Sequence, residues 1–400
     1  MSLKSLKNLT RESLKGKRVI VRVDFNVPLN KKLEITNDVR IKRAIPTIDF
    51  LVENKAKIIL MSHLGRPKGQ IVNDLRLTPI AKHLSRLTGK TVMNLEDCIG
   101  ASVDKELHNL RDGEIALLEN LRFHKEEEKN DPIFSKQLSS LADIYVDDAF
   151  GTAHRAHAST VGIAKFLPSY AGFLIEKEIN VLSKLLKNPE KPFVVILGGA
   201  KVTGKIEVVQ NLIHKADSIL ISGGMSFTAL KARGFNVGNS IIEDYDLEIV
   251  RKMLKNAEEK GTKIFLPIDF LVAKNISPDA ETEMVKADSI PEDSTAVDIG
   301  EETISLFKNQ LRKAKTIFWN GPVGIFEIDQ FAHGTNQIAI TLAEMEGKAI
   351  TVVGGGDSIT ALEKIGLSSS ISYLSTGGGA SLDFLGGSKL PGIEVLLEDN

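Results

Sequence analysis

Ala349-Ile350-Thr351-Val352-Val353-Gly354-Gly355-Gly356-Asp357-Ser358 holds the pattern from which the rest of the chain can be read. A short apolar, β-branched run is the signature of a buried strand. Three glycines then let the chain turn sharply, and a helical pattern resumes at Asp357-Ser358. The same succession recurs in both directions. Upstream, Phe193–Leu197, Ser218–Ser222, Lys263–Pro267 and Thr316–Trp319 read as strands, and Ile371–Leu374 follows downstream. In the first half Val19–Phe25, Lys57–Ser62, Glu114–Glu119 and Ile144–Asp148 read the same way. Helical periodicity fills the intervals at Asp38–Asn54, Thr78–Thr88, Glu176–Leu186, Leu247–Lys260, Thr303–Ala314 and Gln330–Glu346. Continuously apolar strands alternating with helices predict an α/β protein whose parallel sheets are covered on both faces, a doubly wound architecture.

Four hundred residues exceed one ordinary core, and the pair Pro189 and Pro192 stops a helix just before a new strand. The expected domains are therefore residues 1–187 and 188–389. Lys plus Arg (51) balance Asp plus Glu (52), which argues against a general nucleic-acid or membrane-surface binder. Aromatic residues are only 6% of the chain, too few for base-stacking platforms. One cysteine, Cys98, excludes a disulfide framework and fits a reducing, cytoplasmic setting. Met1–Arg18 is basic but has no apolar core or cleavage signal, so it reads as a surface turn and helix, not a targeting segment. The expected molecule is a monomer with no membrane and no nucleic-acid partner.

The two halves carry different chemistry at their strand ends. The second half has glycine clusters: Leu197-Gly198-Gly199, Ser222-Gly223-Gly224, Gly354-Gly355-Gly356-Asp357 and Thr376-Gly377-Gly378-Gly379. Bare backbone N–H groups at a helix start favour a phosphate, and Asp357 beside them suits a phosphate-bound Mg²⁺. Gly199 to Lys205 matches the spacing of a phosphate-binding P-loop, but Ile206 stands where a hydroxyl must hold Mg²⁺, so that reading fails. It leaves Lys201 and Lys205, four apart, at the mouth of a strand.

The first half places Asp24-Phe25-Asn26, His63-Leu64-Gly65-Arg66, Asn120-Leu121-Arg122 and His154-Arg155-Ala156-His157 at strand ends, with Arg40 at a helix start. Arginine is the side chain for bidentate recognition of phosphate and carboxylate, and clustered cations repel one another until an anion arrives. The set Arg40, Arg66, Arg122, Arg155 and His63 points to a small polyanion. Lys125-Glu126-Glu127-Glu128-Lys129 reads as a solvated charge run. The histidines show no zinc spacing and no cysteine partner nearby, and no GxSxG elbow is present.

The strings Val21–Pro28, Ser62–Pro67, Glu119–Phe123, His154–Ser159, Gly198–Val202, Trp319–Glu327, Gly354–Ser358 and Ser375–Ser381 together resemble the phosphoglycerate kinase family, in family order along essentially the whole chain. The resemblance implies a bilobal kinase of two Rossmann-like domains joined by a hinge. Its tail, residues 390–400, is expected to return to the N-terminal domain. The activity implied is reversible transfer of the acyl phosphate of 1,3-bisphosphoglycerate to MgADP, giving ATP and 3-phosphoglycerate in glycolysis, with closure of the domains. By resemblance, Asp24, Phe25, Asn26, Arg40, His63, Leu64, Gly65, Arg66, Arg122 and Arg155 hold the phosphoglycerate. Lys205, Glu327, Gly354, Gly355, Gly356 and Asp357 hold the nucleotide, Asp357 through Mg²⁺. Arg40 and Lys201, with backbone donors at Gly355 and Gly378, are expected at the migrating phosphoryl group. The alternative is a non-catalytic nucleotide-binding protein on the same fold, which would bind ADP without forming ATP.

Overall fold

The computed structural model describes residues 2–200, 204–242 and 247–398. The chain forms two compact units, Met1–Asn180 with Lys389–Asn400, and Val181–Ser388. The division falls within the helix Phe173–Lys187, a few residues before the Lys187–Pro192 stretch. Proline ends that helix, but the boundary between the two cores lies one to two turns earlier.

The first unit is built on six parallel strands: β1 (Arg18–Val23), β2 (Lys57–Met61), β3 (Val92–Asn94), β4 (Ile115–Leu117), β5 (Ile144–Asp148) and β6 (Ser169–Ala171), in the order β3-β4-β2-β1-β5-β6. β1 lies at the centre, where the strand order reverses towards β5. Val21 pairs with Leu60 on one side and Val146 on the other. Alternation along β1 divides the core. Val19, Val21 and Val23 join one cluster with the helices Val39–Glu53 and Thr78–Thr88, and Ile20 joins the other with Tyr145, Phe134 and Ala158. Residues Lys389–Asn400 belong to this unit: Leu3 bridges to Leu397, and the Gly392 N–H donates to the Ala153 carbonyl at 2.9 Å.

The second unit repeats the plan. Its parallel sheet contains β7 (Phe193–Leu197), β8 (Ser218–Ile221), β9 (Lys263–Phe265), β13 (Thr316–Asn320), β14 (Ile350–Gly354) and β15 (Tyr373–Ser375), ordered β15-β14-β13-β7-β8-β9. The reversal falls between β7 and β13. A feature that the sequence reading did not anticipate is a separate antiparallel sheet, β11-β10-β12, from Asp269–Ala273 (β10), Thr282–Lys286 (β11) and Thr295–Ile299 (β12). β11 is almost wholly exposed, so it has no apolar run to betray it. No described helix is long and apolar enough to cross a membrane.

Each unit buries a carboxylic acid near the carboxyl end of a strand, Asp148 in β5 and Asp298 in β12. Asp148 accepts the Leu174 N–H at 2.8 Å, yet burial pushes its pKa up to about 7. Asp298 accepts from Gly334 and Ile299, and burial likewise raises it to about 7. A raised acid binds its proton more tightly when folded than when unfolded. Its stabilising effect is complete below the ordinary value of 3.8 and is lost as pH rises through about 7. Asp148→Asn is therefore expected to flatten the fall in stability between pH 4 and 8. Urea unfolding midpoints of the two proteins across that range check this; parallel pH profiles would refute it.

Candidate active site

In the first unit the carboxyl end of β1 meets the turns after β2 and β4. The Phe25 N–H donates to Ser62 Oγ (2.9 Å), the Gly65 N–H to Asn26 Oδ1 (2.9 Å) and the Leu64 N–H to Asn120 Oδ1 (3.1 Å). Asn120 Nδ2 returns a bond to the Leu64 carbonyl at 2.8 Å. These bonds stitch three loops into one rim. Gly65 has φ +63° and a Cβ there would press on Leu75 at 2.8 Å, so the turn needs glycine.

On this rim Arg40 Nη1 donates to Asp24 Oδ2 at 2.8 Å and to the Asn26 carbonyl at 3.3 Å. A cation in the first helical turn, read from sequence as awaiting an external anion, thus has an internal one, and Asp24 aims it. Arg122 is buried, bonds the Gly65 carbonyl at 2.8 Å and pairs with Glu128 at 3.1 Å. Charge from Arg22, Arg122, Arg40 and His157 adds to burial in holding the His63 imidazole well below its usual pKa. Asp24, Phe25, Asn26, Arg40, His63, Leu64, Gly65 and Arg122 are therefore brought together. Arg155 is exposed, its Nε 3.1 Å from His154 Nε2, and its charge acts on both Arg122 and His157. Arg66 is exposed beside Gly65, and no described contact ties it to the group.

Sequence reasoning passed over what lies behind the rim. Arg22, 0% exposed, donates from Nε to Ser159 Oγ (2.9 Å) and approaches His63 Nδ1 with Nη2 (3.1 Å). Glu127 is also 0% exposed and accepts a hydrogen bond from the Ser159 hydroxyl at 2.6 Å. The reading of Lys125–Lys129 as a solvated run is thus wrong at its middle: a one-turn helix, Lys125–Glu128, drives Glu127 inward beneath Arg22. The available signal was Arg22 itself, a charge inside an otherwise apolar strand, which demands a buried partner. A second correction concerns Cys98, whose thiol, His124 and Asp97 have ligand atoms within 4.8 Å of one another. Each already has a protein partner: the thiol bonds the Glu119 carbonyl, and His124 Nε2 lies 2.6 Å from Asp97 Oδ1.

In the second unit the glycine clusters divide into two kinds. Gly198, Gly199 and Gly224 do not offer free N–H groups; they donate to Asn320, Pro322 and Gly199 carbonyls respectively. A Cβ on Gly223 would lie 2.4 Å from the Gly199 carbonyl oxygen, and one on Gly321 2.3 Å from that of Gly198. These glycines let the loops after β7, β8 and β13 interlock backbone on backbone. Gly356 and Gly378, by contrast, face open space. Gly355 caps the helix Gly356–Lys364 and Gly378 caps Gly379–Leu385. Asn320 Nδ2 is buried without a hydrogen-bond partner, and a Cβ on Gly355 would stand 3.1 Å from it. This donor beside the triple-glycine turn was not singled out from sequence.

The interlocked loops wall a cavity of about 300 Å³ that Gly199, Phe227, Val323, Glu327 and Asp357 help to line. Glu327 and Asp357 are both exposed there. Of these, Asp357 stands in the first turn of the helix Gly356–Lys364, and a carboxylate beside open helix N-termini suits Mg²⁺, which takes oxygen ligands and shares them with phosphate. Lys205 opens the helix Lys205–Leu212 and turns its Nζ onto the Gly198 carbonyl. Lys201 lies outside the described residues. Gly204 adopts φ +78°, and an added Cβ there would meet nothing within 4 Å.

The two kinds of glycine predict different mutational outcomes. Gly223→Ala, which combines a backbone clash with φ +59°, is expected to cost more than about 2 kcal/mol. Gly356→Ala should leave stability within about 0.5 kcal/mol, since nothing meets its Cβ. Thermal unfolding of both variants decides it, and equal losses would show that the division is mistaken.

Comparison with known proteins bears on what this arrangement is. The family model described as phosphoglycerate kinase matches residues 9–388. Phosphoglycerate kinase of Prochlorococcus marinus is 53% identical over 398 residues, covering 99% of both chains. That of Dictyoglomus turgidum is 54% identical over 396 residues, again covering 99% of both. Among solved structures, phosphoglycerate kinase from Coxiella burnetii superposes with a TM-score of 0.84 at 40% identity, covering 98% of each chain. The Pyrococcus horikoshii enzyme gives 0.81 at 33% identity, covering 99% of this chain and 98% of that one. With the family matched along nearly its full length, the chain belongs to the phosphoglycerate kinase family.

Proposed function

We propose that the protein transfers the acyl phosphate of 1,3-bisphosphoglycerate to ADP, reversibly, giving ATP and 3-phosphoglycerate. The observation that carries this reading is the cationic rim of the first unit, where Arg40, Arg122 and the neutral His63 converge at the carboxyl end of β1. In this reading the rim, with Arg66 and Arg155, holds the phosphoglycerate. Asp24 orients Arg40 towards the acyl phosphate. The 300 Å³ cavity takes the nucleoside, with Glu327 at its sugar, and the phosphates run towards Gly354–Gly356 and Gly378. Asp357 would hold Mg²⁺, which would supply charge neutralisation at the phosphate oxygens.

The chemistry explains why no general acid or base is needed. The attacking ADP oxygen is already anionic and the leaving carboxylate is weakly basic. Catalysis then rests on in-line alignment and on neutralising the equatorial oxygens, the work of Arg40, Lys201 and the Gly355 and Gly378 amides, with Lys205 at the nucleotide. Its expected setting is the cytoplasm, and the working form a monomer.

The test is a coupled assay of 3-phosphoglycerate-dependent ATP consumption, with and without Mg²⁺. Activity is expected only with both. Arg40→Ala should lower kcat by about 10³-fold or more with ADP affinity little changed. Asp357→Asn should raise the Mg²⁺ concentration required. ATP hydrolysis that ignores 3-phosphoglycerate, or near-normal turnover of Arg40→Ala, would overturn the assignment.

A further inference from the structure

We propose that Arg22 is a positioning residue which, anchored on Glu127 through Ser159, locks His63 as the neutral tautomer protonated on Nε2. The proposal rests on the functional reading above only for the identity of the anion that His63 serves. The lock itself follows from the direction in which each hydrogen bond must run.

The relay begins at Glu127, whose carboxyl pKa burial raises while Arg22, the two Ser159 hydrogen bonds and Arg122 favour the ionised form, which can only accept. It takes the Ser159 N–H on Oε2 (3.0 Å) and the Ser159 hydroxyl on Oε1 (2.6 Å). A hydroxyl has one proton, so the one given to Glu127 leaves Ser159 Oγ as acceptor towards Arg22 Nε at 2.9 Å. Arg22 Nη1 donates to the Val23 carbonyl at 2.5 Å, which fixes the guanidinium plane. Nη2 then lies 3.1 Å from His63 Nδ1. A guanidinium has donors only and keeps its proton in proteins, so Nδ1 must be the acceptor. The ring proton is left on Nε2. An imidazolium would set an N–H against an N–H and add a cation beside one already buried.

Strand parity explains how these groups meet. Arg22 pairs with Met61 in the β1–β2 register, and its side chain follows Ile20 to the face that Tyr145 and Ala158 cover. His63 continues the same face beyond Met61. The turn Ala158–Gly162 brings Ser159 over it, and the Tyr145 hydroxyl secures that turn by donating to the Ser159 carbonyl at 3.0 Å. The groups whose charge reaches His63 are Arg22 on β1, Arg122 on the turn after β4, Arg40 on the helix Val39–Glu53, and His157 before the Ala158 turn. All oppose its protonation. His157 is itself held down to about 4, chiefly by burial and then by Arg22.

The functional gain is a donor that does not titrate. An ordinary histidine changes charge near pH 6.5, so an anion held by it would bind with a strength that drifts across the physiological range. A locked neutral ring gives one directional N–H through the range where an ordinary histidine titrates, while the arginines supply the charge.

The experiment is long-range ¹H–¹⁵N NMR on the full-length, ligand-free protein labelled at histidine, with His63→Gln identifying the signal. The expected spectrum shows Nδ1 as an unprotonated acceptor and Nε2 as N–H, unchanged from pH 5.5 to 8. Arg22→Met and the milder Ser159→Ala should release the lock, giving mixed tautomers and protonation at the acid end, and Arg22→Lys should restore some of it. In titrations with 3-phosphoglycerate, Arg22→Met should weaken affinity on the order of tenfold and make it vary with pH. A wild-type His63 carrying Nδ1–H or a full charge at pH 7 overturns the proposal. So does a signal unmoved in both Arg22→Met and Ser159→Ala. If 3-phosphoglycerate fails to bind a protein whose lock is intact, the functional reading falls and the tautomer assignment stands.

Discussion

A guanidinium sealed inside a hydrophobic sheet must be neutralised nearby or the strand that carries it will not pack. Arg22 sets that requirement in the first unit, and much of the local architecture answers it. The one-turn helix Lys125–Glu128 delivers Glu127, the turn Ala158–Gly162 delivers Ser159, and Tyr145 pins that turn from the sheet. With Arg22 held in this way, His63 is oriented at the strand end. The rim of Asp24, Asn26, Gly65, Asn120 and Arg122 is then built forward of a fixed wall, through short bonds between loop backbones and side-chain amides.

The second unit solves the corresponding problem without charge. Its strand ends approach one another so closely that side chains cannot fit, and backbone meets backbone at Gly198, Gly223 and Gly321. The amides consumed there are structural. Those at Gly355 and Gly378 stand at helix starts, where aligned peptide dipoles leave positive potential facing outward. One unit thus presents guanidinium groups at its strand ends and the other presents bare backbone.

Much of this was legible before the structure. Ile144–Asp148, Phe193–Leu197 and Thr78–Thr88 coincide with their elements because buried parallel strands and amphipathic helices leave strong periodic signals. β3 ends on Asn94 and β6 opens on Ser169, so neither has the apolar run by which the equally short β4 was read, and in exposed β11 Met284 and Val285 stand among charged residues. The rim residues were found because arginines at strand ends are few and conspicuous. Glu127 was not, since a run of charges has the same composition whether one member turns inward or none does. Nor does sequence distinguish a glycine that admits a ligand from one that admits another loop. Only the positions of carbonyl oxygens settle that, as at Gly223 and Gly356.

The interlocked loops also govern how this unit can evolve. Glycines whose missing side chains are occupied by neighbouring backbone have no neutral alternatives, so drift at Gly198, Gly223 and Gly321 is closed. Phe227, Ile241, Ile276 and Val323 line the same cavity and carry side chains that can change. Selection for a change in what the cavity accepts therefore has a rigid frame and an adjustable lining to work on, and new preferences should accumulate in the lining.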